Sequence, residues 1–241
     1  MEKLLINNHI KCLTSFCDNM KKICVYCHGF GESKERIIQH YEILNSHNVG
    51  IMSFDLPCHG EDLTKYSDIT IKKCLDYINE VLKYIKEKYK DINVILIGSS
   101  FGGYLTLCYI NDYKEKFDKV FLKYPAVNFY ECTKRKLKID DSYFDNHKYF
   151  CLPSGYRIYK KFYFDSKKHD IMRDFDKCNN DIYIIHGNAD KTVLIDDILY
   201  FVNKNGIKLK IVDGATHGMK DYLSLVNDEI ISFLGGNNED I

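Results

Sequence analysis

The sequence predicts an α/β fold built on a mostly parallel sheet, and three features predict it: short apolar strand-like runs, helical periodicities, and their regular alternation along the chain. Two extended runs, KLLIN and HIKCLTSF, come first and read as a hairpin at a sheet edge. ICVYCHG is then a buried-strand run, residues 33–48 are predicted helical, and GIMSFDLP is the next strand. Between residues 69 and 90, Ile71, Leu75, Ile78, Leu82, Ile85 and Tyr89 recur at alternating gaps of four and three, which marks one face of a helix. The strand NVILIG, a helix over 101–117 and the strand KVFLKYPAV follow. The chain closes with the strand DIYIIHG, a helix stopped by Gly206, the strand KLKIVDG and a helix over 219–234.

One interval breaks the alternation. More than fifty residues separate Val127 from Asp181, and connections that long usually serve as lids or insertions, here at about 128–180. The interval is rich in aromatics, from Phe129, Tyr130, Tyr143 and Phe144 to Tyr149, Phe150, Tyr156, Tyr159 and Phe162, interleaved with lysines. These rings either complete the core or line an acyl or aryl pocket.

The chain's 241 residues, 45% hydrophobic, suffice for one large core, so a single domain over 1–241 is expected. Lys+Arg and Asp+Glu are both 34, and the net charge of zero leaves no field to hold nucleic acid or an anionic membrane. A small, locally recognised substrate fits better. The opening MEKLLINNHI carries charge early and too short an apolar run for a signal peptide, and no stretch reaches the length of a membrane span. The expectation is a soluble, cytoplasmic protein whose ten cysteines are reduced thiols. Cys24 and Cys27, three apart on a strand, should point to opposite faces, which argues against a shared metal.

Gly98-Ser99-Ser100-Phe101-Gly102 matches G-x-S-x-G at a strand-to-helix junction. A serine on so sharp a turn needs neighbours without side chains, and Gly98 and Gly102 provide them. The following helix aims its first amides at the serine, with Phe101 N–H as an expected oxyanion donor. A serine hydroxyl needs a base. His217, in DGATHGM, lies just past the last strand and therefore at the carboxyl edge of the sheet, whereas His186 ends its strand and should pack. Asp190, in HGNADKTV, occupies the corresponding loop one strand earlier and is preferred as the acid over Asp213 and Asp165. The order Ser100, Asp190, His217 is the one this kind of site uses. His28-Gly29-Phe30-Gly31 closes the first central strand and should supply a second oxyanion amide from Phe30, with His28 a structural residue that fixes the loop. DLPCHG, after the next strand, reads as loop architecture.

HGFGES, DLPCHG, GSSFGG, HGNAD and DGATHG, in that order, resemble the α/β-hydrolase superfamily, and most closely its cinnamoyl/feruloyl esterase and serine aminopeptidase-like branch. The similarity extends over nearly the whole chain, including the insertion, which that branch uses as a substrate lid. It implies hydrolysis of small carboxylic esters through an acyl-enzyme, with Ser100, Asp190 and His217 as triad, Phe30 and Phe101 as oxyanion amides, and no metal or organic cofactor. Relatives commonly have glycine where this chain has Cys58, which bears on the geometry of that loop. A peptidase or amidase using the same triad, and a non-catalytic binding module on the same scaffold, are the alternatives that the motifs leave open.

Overall fold

In the computed structural model, which describes residues 1–235, β1 (Glu2–Ile6) and β2 (Ile10–Ser15) form the antiparallel hairpin expected at one edge. Next come β3 (Lys22–Cys27), α1 (Tyr41–Ser46), β4 (Val49–Phe54), α2 (Ile71–Lys88), β5 (Asn93–Ser99), α3 (Phe101–Tyr113) and β6 (Lys119–Lys123). The long interval holds α4 (Phe129–Leu137), α5 (Tyr143–Asn146), a small hairpin of β7 (Tyr149–Cys151) and β8 (Arg157–Tyr159), α6 (Lys160–Lys168) and α7 (Ile171–Asp174). After it come β9 (Ile182–Gly187), α8 (Ile195–Asn205), β10 (Lys208–Val212) and α9 (Leu223–Phe233).

The main sheet has the order β1-β2-β4-β3-β5-β6-β9-β10, and every pair from β4 to β10 is parallel. Strand alternation divides the interior in two. Val25, Cys27 and Leu96 face a core shared with α2, α3 and α8, while Cys24, Tyr26, Ile95 and Ile97 face one shared with α1 and α9. Cys24 and Cys27 thus do lie on opposite sides, and all ten cysteines are free. α2 is capped by Thr70, whose side chain accepts from Lys73 N (3.0 Å). α8 ends at Gly206 in the left-handed conformation, φ 59°. No helix among the described residues is long and apolar enough to cross a membrane.

One local expectation is corrected, and one alternative left open is narrowed. Residues 33–48 are not one α-helix: Lys34–His40 is a 3-10 helix that passes into the short α1. Its buried residues are Lys34, Ile37 and His40, a spacing of three that lines up on one side only when the helix tightens to three residues per turn. The rings of the long interval pack mostly on one another and on α3, rather than facing a pocket. Phe144, Phe162 and Tyr163 are fully buried, Phe144 lies 4.7 Å from Tyr163 between ring centroids, and Phe129 lies 4.6 Å from Phe101. Their apolar area completes the core on the α3 side.

Candidate active site

β5 runs into Ser100, whose backbone takes φ 50° and ψ −114°, a conformation an L-residue keeps only under constraint. The constraint is supplied by hydrogen bonds at 3.0 Å: Ser100 N donates to Lys123 O, and Ser100 O accepts from Tyr104 N and Ala126 N. A Cβ on Gly98 would lie 2.7 Å from Gly103 Cα, and one on Gly102 would lie 2.1 Å from Cys27 O. The turn therefore closes only with glycine on both sides of the serine.

The loops after β9 and β10 bring two further side chains to this turn. His217 Nε2 is 3.0 Å from Ser100 Oγ, and His217 Nδ1 is 2.7 Å from Asp190 Oδ2. A carboxylate only accepts, so Nδ1 carries the proton and Nε2 presents its lone pair to the hydroxyl. Asp190 is fixed from below, because its Oδ1 accepts from Thr192 N (2.8 Å) and Val193 N (3.0 Å). Burial raises the Asp190 pKa, but the bond from His217 and the two amides outweigh it and hold the carboxyl below its ordinary value. The rival acids lie elsewhere: Asp213 accepts from Asn188 Nδ2 (2.8 Å), and Asp165 accepts from Ile71 N (2.7 Å) at the start of α2. His186 is fully buried, with Nε2 bonded to Val193 O (3.1 Å), as its position at the end of a strand implied.

Phe30 and Phe101 flank the serine, with ring centroids 5.6 Å apart in an edge-to-face arrangement. Neither Phe30 N–H nor Phe101 N–H donates to a protein group among the described residues. For Phe101 the reason is its place as the first residue of α3, where the helix offers amides no partner. A cavity of about 150 Å³ opens over Ser100 and His217, lined by Gly29, Phe30, Phe101 and Tyr124 and, from the long interval, by two groups of residues. Phe129, Cys132, Thr133, Lys136 and Leu137 come from α4, and Leu152 and Ile158 from beside and within the small hairpin. The spacing 129, 132/133, 136/137 is one helical face and is legible in the sequence beside the interval's aromatics. Glu32 also lines the cavity, where its Oε2 accepts from Gly29 N (2.9 Å) and its Oε1 lies 3.2 Å from Arg36 Nε.

The sequence profile of the family described as serine aminopeptidase, S33 matches residues 18–147, more than half of the chain. The chain belongs to that family. Among curated proteins no sequence matches it. Solved structures of the same fold include the ferulic acid complex of Est1E from Butyrivibrio proteoclasticus, at 21% identity and TM-score 0.86 over 98% of each chain. Mouse alpha/beta hydrolase domain-containing protein 10 matches at 16% identity and TM-score 0.77, over 98% of this chain and 99% of that one. A monoacylglycerol lipase from Paleococcus ferrophilus matches at 16% and 0.71, over 99% and 100%. At such identities the likeness establishes the α/β-hydrolase fold, with its mostly parallel sheet.

In this S33-family chain the loops after β3 and β4 are pinned by buried polar contacts. His28 bonds to Gly29 O through Nδ1 (2.9 Å) and accepts from Leu56 N through Nε2 (3.1 Å), which joins the two loops. Asp55 accepts from Lys34 Nζ (2.8 Å), Lys34 N (2.9 Å) and Glu61 N (2.9 Å). Cys58 holds φ 68°, a conformation that favours glycine, and its N–H donates to Asp62 Oδ1 (2.8 Å), which secures the departure from the usual residue. Burial pushes His28 down to about 4 and His59 down to about 3, and it also lowers His40 and His186. A histidine depressed in the folded state contributes stability that is complete above its unfolded value near 6.5 and is lost as pH falls toward its folded value. His28 alone loses about 3 kcal/mol between pH 6.5 and 4, a large share of a typical 5–15 kcal/mol. The urea midpoint should therefore fall steeply between pH 7 and pH 5, before the carboxylates titrate. A midpoint flat over that interval would show that these histidines are not held neutral.

Proposed function

We propose that the chain is a serine hydrolase that cleaves small carboxylic esters through an acyl-enzyme. The observation that carries this reading is the unbroken relay from Ser100 through His217 to Asp190, set beside two unpaired amides at the floor of an apolar cavity. Ser100 Oγ attacks the ester carbonyl while His217 Nε2 takes its proton, and the Asp190 carboxylate stabilises the imidazolium. The oxygen that becomes negative in the tetrahedral intermediate accepts from Phe30 N–H and Phe101 N–H. His217 then protonates the departing alcohol, and water repeats the sequence on the acyl-enzyme.

Cavity size and lining support a short acyl or arylalkenoyl group. About 150 Å³ bounded by Phe129, Leu137, Leu152 and Ile158 selects by volume, at about 25 cal/mol per Å² of apolar surface removed from water. The solved Est1E complex holds ferulic acid on the same fold, which favours hydroxycinnamates among candidate groups. The family's description names an aminopeptidase, and Glu32 is the acid that an α-ammonium group would need. Its oxygens, however, are already engaged by Gly29 N and Arg36, which favours the ester reading.

A fluorophosphonate probe should label Ser100 and no other serine, and an adduct elsewhere would refute the assignment. On a panel under identical conditions, p-nitrophenyl esters and methyl hydroxycinnamates should show higher kcat/KM than aminoacyl anilides. Higher values on the anilides would move the reading to peptidase.

A further inference from the structure

Behind His217 lies a second opening that the proposed chemistry does not use. Lys123, the last residue of β6, lines it and is 1% exposed. Its ammonium is 2.6 Å from His40 Nε2 and 3.3 Å from Tyr26 OH, and it lies 5.1 Å from the centre of the Tyr26 ring. All of these are neutral partners. No carboxylate among the described residues forms an ion pair with Lys123 within 4.0 Å, and Glu32, the acid that acts on it, is engaged by Arg36 and Gly29 N. His40 cannot share the charge, because burial and the nearby Lys123 hold it neutral and its Nδ1 faces Asn227 Oδ1 (2.5 Å). Burial pulls the Lys123 pKa down to about 7, the mark of an ammonium that lacks a countercharge. A buried charge normally finds a partner.

Lys123 lines a cavity of about 200 Å³ together with Arg36, Gln39 and Lys220. Three cations and an amide face this space, and no Asp or Glu is among its lining residues, although acids and bases are equal in number over the whole sequence. The buried Nε of Arg36 has no well-directed hydrogen bond among the described residues, for all its proximity to Glu32. The volume corresponds to roughly six or seven waters, enough for one small oxyanion and part of its hydration. We propose that this cavity binds a small free oxyanion of the phosphate or sulfate type, held by Lys123, Arg36 and Lys220. The ligand supplies the countercharge that the fold withholds. Tyr124 and Gly218 line both this cavity and the one over Ser100, and the Tyr124 ring meets His217 edge-on at 4.9 Å. The oxyanion therefore sits directly behind the segment that carries the histidine, and its occupancy tightens that segment.

The test is binding of inorganic phosphate to the full chain, read as Tm and by titration calorimetry, against sodium chloride of equal ionic strength. Wild type should show a saturable rise in Tm with phosphate or sulfate that chloride does not reproduce. Lys220→Gln and Lys123→Met should each weaken binding roughly tenfold or more, the cost of losing a charge-assisted hydrogen bond. Protein blocked at Ser100 by a phosphonate, or carrying Ser100→Ala, should bind phosphate as wild type does. Equal Tm in phosphate and chloride would overturn the proposal, as would unchanged affinity in Lys220→Gln, a surface change that tests the site even if Lys123→Met does not fold. Loss of binding on blocking Ser100 would place the anion in the catalytic cavity and overturn it too. None of these readouts depends on turnover, so failure of the esterase reading and failure of the anion site are distinguishable.

Discussion

Ser100→Ala should lower kcat by on the order of 10⁶ on any ester that the wild-type chain turns over, with the urea midpoint essentially unchanged. Alanine keeps the Cβ, and the hydrogen bonds that hold the turn use the backbone of residue 100, not its hydroxyl. What is lost is the single atom within reach of His217 Nε2. Residual activity of roughly 10³ to 10⁴ over water should remain if, as proposed, the Phe30 and Phe101 amides meet the developing oxyanion. Steady-state kinetics beside chemical denaturation checks both halves. A variant that keeps a tenth of wild-type activity would show that another group attacks the substrate.

Asp190→Asn should cost on the order of 10⁴ in kcat, whereas Asp213→Asn should cost less than about tenfold. The backbone amides of Thr192 and Val193 both donate to Asp190 Oδ1, so in the variant the amide oxygen stays there. The new NH₂ group then faces His217 Nδ1, which must accept in place of donating. That forces the proton onto Nε2, where it points at Ser100 Oγ and leaves no lone pair to receive the serine proton. Asp213 bonds instead to Asn188 and steadies the loop before the histidine, so its loss acts only through position. Reversed effects of the two substitutions would make Asp213 the acid.

Much of this arrangement is legible in the sequence because it depends on local chemistry. Gly98, Ser100 and Gly102 form a pattern whose steric reason is contained in five residues, and Asp190 and His217 follow strands long enough to be recognised by composition. The 3-10 helix at Lys34–His40 is less legible, since a buried spacing of three departs little from helical spacing over so few residues. The small hairpin is hard to read because its strands are three residues each, although Pro153-Ser154-Gly155 between them is a turn signal. Lys34 and Lys123 are the hardest. Nothing local distinguishes a buried lysine from an exposed one; Lys34 is settled by Asp55, and Lys123 by His40 and Tyr26, partners distant in sequence.

The ring of Phe129 rests against Phe101 at 4.6 Å while neighbouring α4 positions face the cavity, so one short helix serves both the interior and the pocket wall. This divides the residues from 129 to 174 into those that can vary and those that cannot. Phe144 and Phe162 are committed to the protein's own stability, and trimming either opens a void costing about 3–5 kcal/mol, while Phe129 serves both the interior and the cavity wall. Leu137, Leu152 and Ile158 border the cavity, so each exchange resizes it by a methylene or two, at a packing cost for the buried Leu137 and Ile158. A lineage built on this chain would resize the cavity in small volumetric steps along one helix face and one hairpin, not by exchanging the whole segment.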